Sequence, residues 1–132
     1  MSDRRDGPFV LDASAVLALL IEEPCADEVE SVLDGALMSS VNLSEVVQKS
    51  EQHGSDTEGL EFDLEALGLS FRPFDVAQAR TAADIWARAP AAGLSLGDRA
   101  CLALAEVVGG TAMTTDRLWA EAPLEIRIRV LR

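Results

Sequence analysis

Apolar residues in this chain come in short blocks of two kinds, three-residue runs that stop abruptly and longer stretches with helical spacing. Phe9, Val10 and Leu11 form a run that ends at Asp12, after which Ser14 opens the helix-favouring stretch Ala15 to Ile21. Pro24 breaks that helix, and a second one running through Val29 and Leu33 ends at Gly35. Ala36, Leu37 and Met38 predict a second strand, with Ser39 and Ser40 as candidate caps for a helix from Val41 to Gln52 that closes at Gly54. Leu60, Leu64 and Leu67 predict a helix over Asp56 to Leu67, and Leu69, Phe71 and Phe74 a third strand, moved toward a sheet edge by Pro73. From Asp75, the residues Val76, Ala79, Ala82, Ala83 and Trp86 have helical period as far as Pro90. Ser95 caps a further helix through Val108, Gly109 and Gly110 end it, Thr111 to Thr114 reads as a fourth strand, and Ile126, Ile128 and Val130 alternate as a fifth.

Short strands alternating with helices predict the α/β class, with a mostly parallel sheet of four to five strands covered on both faces and a single domain over residues 1–132. The apolar content of 48% suffices for a packed core. The longest unbroken apolar stretch, Ala15 to Ile21, is far below the roughly 20 residues that span a bilayer, so no membrane association is expected. The opening residues carry Asp3, Arg4, Arg5 and Asp6, and Asp12 interrupts the apolar run that follows, which is unlike a signal peptide and predicts a cytoplasmic protein. Cys25 and Cys101 sit in apolar helical patterns and read as free thiols.

Charge complicates the choice of partner. With 23 acids against 11 lysines and arginines, the net charge of −12 repels a polyanion at long range. An acidic protein that handles nucleic acid needs divalent cations and local arginines.

In open α/β sheets, ligands collect beyond the carboxyl ends of the strands. That rule selects Asp12, directly after the first strand, and Asp116, after the strand ending in Thr114; each also reads as a turn or helix-cap aspartate. Asp98 shares a helical face with Cys101, Leu102 and Ala105, where a carboxylate needs a partner or a metal, although an acid in the first turn near Ser95 also suits the helix dipole. Glu45 lies one turn into a helix that starts at the same sheet edge, and its spacing alone allows a solvated ion pair with Lys49. Four carboxylates without a nearby histidine would make an oxygen-only site, suited to Mg²⁺ or Mn²⁺ rather than zinc. His53, the sole histidine, reads as a surface residue at a helix end.

Val10-Leu11-Asp12-Ala13-Ser14-Ala15, Asn42-Leu43-Ser44-Glu45, Ser95-Leu96-Gly97-Asp98-Arg99-Ala100 and Thr114-Thr115-Asp116-Arg117 resemble, in order, the four acidic motifs of PIN-domain ribonucleases. The short chain without appended domains is similar to the VapC branch, the toxins of type II toxin-antitoxin systems. The resemblance implies a three-layer α/β/α sandwich in which Asp12, Glu45, Asp98 and Asp116 converge on one or two Mg²⁺ or Mn²⁺ ions, with Ser14 and Thr114 orienting the carboxylates. It implies an endoribonuclease (a hydrolase) that cleaves RNA by metal-activated water, a homodimer, and inhibition by a cognate antitoxin whose tail covers the site. Arg99 and Arg117, each beside a proposed ligand, are candidates for RNA phosphate contacts. Trp119 stands where some relatives place a further acid.

Two other readings remain. A phospho-accepting signalling domain is also a small α/β protein with acids at strand ends, but it would want paired early acids, where this chain has Asp12-Ala13, and a lysine after a late strand, whereas Lys49 is the sole lysine. A non-catalytic PIN-like binding module would keep the fold for its partner surface alone.

Overall fold

In the computed structural model, residues 7–131 are described; the charged stretch Asp3 to Asp6 lies outside the described residues, as does Arg132. The five apolar runs form strands β1 (Phe9–Leu11), β2 (Leu37–Ser39), β3 (Ser70–Arg72), β4 (Thr111–Thr114) and β5 (Arg127–Val130). They make one sheet in the order β3-β2-β1-β4-β5, and every neighbouring pair is parallel. The sheet is thus wholly rather than mostly parallel, and β3, which precedes Pro73, is indeed at an edge.

Because successive strand residues face opposite ways, each central strand feeds two cores. Leu11, Met38 and Met113 enter one, packed by Val16, Val29, Val46 and Leu64 from α1 (Ala13–Leu20), α2 (Ala26–Val32), α3 (Ser40–Gln52) and α4 (Leu60–Ala66). Val10, Leu37 and Ala112 enter the other, against Ile85 and Leu102 of α5 (Val76–Arg88) and α6 (Leu96–Val108) and against Trp119 of a short 3-10 helix, Arg117–Glu121. This is the expected α/β/α sandwich, with Trp119 serving the core. Cys25 and Cys101 are buried and unpaired.

Element boundaries depart from the sequence reading where local chemistry intervenes. Asp12, not Ser14, caps α1 by accepting from the Ala15 N–H, and α1 ends at Leu20, before Glu22 takes a left-handed conformation and ahead of Pro24. The helix expected from Asp56 starts only at Leu60, because the Asp56 side chain turns back onto the Glu58 N–H and Gly59 adopts φ +78°. Ser39 caps α3 and Ser95 caps α6, whose C-terminus is the left-handed Gly109.

The strand order positions the site. From β1 the chain moves outward through β2 to β3 and later returns to β4 on the other flank of β1, so the carboxyl ends of β1 and β4 lie at the topological switch point.

Candidate active site

Asp12 leaves β1 with its N–H still donating to the Met113 carbonyl of β4 (3.1 Å), and turns its side chain into the switch point. One carboxylate oxygen accepts from the Ser14 hydroxyl (2.7 Å) and the Ala15 N–H (2.9 Å); the other accepts from the Thr114 hydroxyl (2.5 Å). Thr114 Oγ1 in turn accepts from the Asp116 N–H (3.0 Å), and Ser14 Oγ accepts from the Thr115 N–H (2.9 Å). Ser14 and Thr114 thus hold the Asp12 carboxylate between them, and they stitch the first and fourth motifs together. Asp12 is only 6% exposed. Burial, above all, pushes its carboxyl up to about 6, even though three hydrogen bonds favour the charged form, and the charge of Asp98 pushes the same way.

Glu45 is half-buried on α3 and accepts from the Asn42 side-chain amide (2.8 Å). Among the described residues it forms no ion pair with Lys49, so the solvated-face reading does not hold. Asn42 also donates to the Gly97 carbonyl (3.0 Å), which ties α3 to the first turn of α6. There Asp98, half-buried, completes a capping box: its N–H donates to Ser95 Oγ (3.1 Å) and its carboxylate accepts from the Ser95 N–H (2.9 Å). The first-turn cap reading of Asp98 is thus correct, and it coexists with closeness to Asp12. Cys101, buried one turn later, reports the same neighbourhood: burial first, and then the charges of Asp12, Asp98 and Glu45, raise its thiol well above the ordinary value.

Asp116 is exposed and caps the 3-10 helix through the Leu118 N–H (3.0 Å). Arg117 is exposed beside it. Arg99 turns to the other side of its helix, where its guanidinium donates to the Ala82 carbonyl of α5 (3.2 Å). Two residues of this site were not singled out from sequence, Asn42 and Gly97. The available signals were a buried-type amide three residues before Glu45 and a glycine inside a helical first turn.

The donor set is all oxygen, which suits Mg²⁺ or Mn²⁺, and a buried carboxylate with a raised pKa is one whose charge a cation would stabilise. Among the described residues the side chains as placed do not already form a three-member acid, histidine or cysteine group able to hold a metal ion. The oxygen chemistry and the place at the switch point therefore suit a divalent cation.

The family model for the PIN domain matches residues 9–124. Among solved structures, a toxin-antitoxin complex from Klebsiella pneumoniae has a chain that superposes with TM-score 0.71 at 16% identity, covering 86% of this chain and 92% of that one. The DNA-bound VapBC complex from Salmonella typhimurium gives TM-score 0.71 at 19% identity, over 93% and 97% of the two chains. FitAcB from Neisseria gonorrhoeae gives 0.61 at 19%, over 91% and 95%. At these identities the likenesses establish the fold. No curated protein matches the chain.

Proposed function

This chain belongs to the PIN-domain family, and from that premise we propose that it is a single-domain, Mg²⁺- or Mn²⁺-dependent endoribonuclease, the toxin of a VapC-type pair neutralised by a cognate antitoxin. The observation that carries the reading is the switch-point network, in which a buried Asp12 is held by Ser14 and Thr114 with Asp98 close enough to raise its pKa. PIN membership also replaces the signalling-domain alternative.

Asp12, Glu45, Asp98 and Asp116 would hold the cation. When bound, it would supply positive charge to the scissile phosphate and make water a better nucleophile near neutral pH. The chain's own part is to keep Asp12 ionised in a dry position, at the expense of its desolvation, and to fix its oxygens through two hydroxyls and a backbone N–H. RNA must approach an acidic surface, so binding without the cation should be weak. Arg117 is the arginine better placed for a flanking phosphate, since Arg99 is engaged with Ala82.

The antitoxin reading draws on the structural neighbours, which are toxin-antitoxin complexes, and on one surface. A cleft of about 440 Å³ runs beside Ser14 and Thr115 with Leu17, Leu20, Ile21 and Leu60 on its wall. An apolar segment seated there could reach the carboxylates with a basic side chain. Homodimerisation belongs to the same proposal. Among the described residues no helix is long and apolar enough to cross a membrane.

The test is cleavage of a fluorescent RNA panel by purified protein with Mn²⁺, with chelator, and with Asp12→Asn. Metal-dependent cleavage lost in the variant supports the reading. Absence of cleavage alongside tight antitoxin binding would favour the non-catalytic module.

A further inference from the structure

Asn42 occupies an unusual position. It is 1% exposed, and both hydrogens of its amide are committed to acceptors, the Glu45 carboxylate on its own helix and the Gly97 carbonyl on α6. With an acceptor on each side, the nitrogen must face them both, which fixes the orientation of the amide. Its carbonyl oxygen is then buried without a hydrogen-bond partner. A position selected for stability alone would carry an apolar side chain or a fully satisfied one, since a buried unpaired acceptor is destabilising.

Gly97 meets the same carboxylate from the other side. A Cβ at this position would lie 2.5 Å from Glu45 Oε1 and 2.7 Å from Oε2. No positive φ requires glycine there, so space for Glu45 is what the residue provides. The two residues hold one carboxylate between α3 and the turn that carries Asp98.

We infer that Asn42 and Gly97 are positioning residues that present the Glu45 carboxylate, together with Asp98, to a divalent cation. The inference rests on the metal-dependent reading above, and its test separates the two. Mn²⁺ binding to the purified full chain is titrated by the electron paramagnetic resonance of free Mn²⁺, with melting in chelator as an independent measure of folding. Wild type, Asn42→Ala, Gly97→Ala and Glu45→Gln are compared, along with each of the first two variants combined with Glu45→Gln.

Gly97→Ala is the decisive variant. Alanine favours the helix, while its methyl displaces the end of Glu45 and loosens the bond from the buried Asn42 amide, so the two effects oppose and melting in chelator should stay within a few degrees of wild type. Mn²⁺ affinity should nevertheless fall about 10-fold, the lower end of what loss of an outer partner typically costs. Asn42→Ala should weaken Mn²⁺ by a similar factor, and neither change should weaken it further once Glu45 is glutamine. If Asn42→Ala fails to fold, Gly97→Ala alone decides. Wild-type affinity in Gly97→Ala, or a loss that persists in the Glu45→Gln background, overturns the positioning role. Failure of the wild type to bind millimolar Mn²⁺ overturns the metal-dependent reading itself, and the inference with it.

Discussion

Replacing Asp12 by asparagine removes a charge from the most buried of the four carboxylates with almost no change in shape. The wild-type carboxyl rises from an ordinary 3.8 to about 6 in the folded protein, chiefly through burial. Below both values the folded and unfolded states each hold the proton, and Asp12 contributes nothing to pH dependence. Between them the folded state keeps a proton that the unfolded chain has lost, so stability falls as pH rises. Above about 6 both states are ionised and the loss is complete. At about 1.4 kcal/mol per pKa unit, the loss amounts to about 3 kcal/mol, or roughly 10 °C in Tm for a domain of this size. Asparagine cannot titrate, so the stability of Asp12→Asn minus that of wild type should climb by most of this amount, about 2.5 kcal/mol, between pH 4 and pH 7. Its hydrogen bonds differ too, because an amide N–H must now face the Ser14, Ala15 or Thr114 donors, and the Thr114 hydroxyl can turn toward Ser14 Oγ at 3.4 Å. That difference displaces the whole curve without changing its slope. Urea unfolding of both proteins in chelator across this pH range measures the difference directly, and a flat difference would refute the burial argument.

Other consequences concern the metal, the remaining acids and the partner. Millimolar Mn²⁺ should raise the wild-type Tm at pH 7.5, and the gain should shrink below pH 6 as Asp12 retains its proton; equal gains at pH 5 and 7.5 would contradict competition between proton and cation. Asp98→Asn and Asp116→Asn should each abolish RNA cleavage and growth inhibition at little cost in stability, since asparagine caps a helix about as well as aspartate; retained toxicity at equal expression would remove both from the site. Affinity for a basic antitoxin tail should fall with rising salt and with added Mn²⁺, and a response flat to both would show that inhibition works through the apolar cleft alone.

What was legible in the sequence was local. Ser95 ahead of an apolar helix, Pro73 beside a short strand and the glycine pair after Val108 each act within a few residues of themselves, and the structure uses them as read. The expectation for Asp12 and Asp116 rested on something else, a general rule that ligands gather at the carboxyl ends of parallel strands, and the structure does set β1 and β4 side by side. The misread parts depend on residues far along the chain or on a competing turn. The environment of Glu45 looked mixed because the acceptor that buries its neighbour Asn42 comes from Gly97, fifty-five positions later. Arg99 looked free beside Asp98 because its partner, Ala82, belongs to another helix. The start of α4 moved to Leu60 because Asp56 and Gly59 favour a turn over the apolar period.

For the three aspartates, the choice between helix cap and metal ligand dissolves in the geometry. In a parallel sheet, the residues that end strands also begin helices, so for Asp12 and Asp116 a cap acid and an acid at the carboxyl edge are drawn from the same positions, whereas Asp98 comes from the first turn of α6, which follows α5 rather than a strand. Asp98 commits Oδ2 to the Ser95 N–H, and Asp116 commits Oδ1 to the Leu118 N–H. Among the described residues the other oxygen of each accepts no hydrogen bond. A cap of this kind fixes the rotamer of the side chain by holding one oxygen and leaves the second for another cation or donor. Asp12 takes the arrangement further, since both of its oxygens are already held by hydroxyls and N–H groups, and hydroxyls can share an oxygen with a cation in a way that a salt-bridged arginine could not. Capping is therefore the means by which the backbone sets the directions of these carboxylates before any ligand arrives. Glu45, which caps nothing, is the one acid of the four that needs a dedicated holder, and it is the one beside which the chain places a buried asparagine and a glycine.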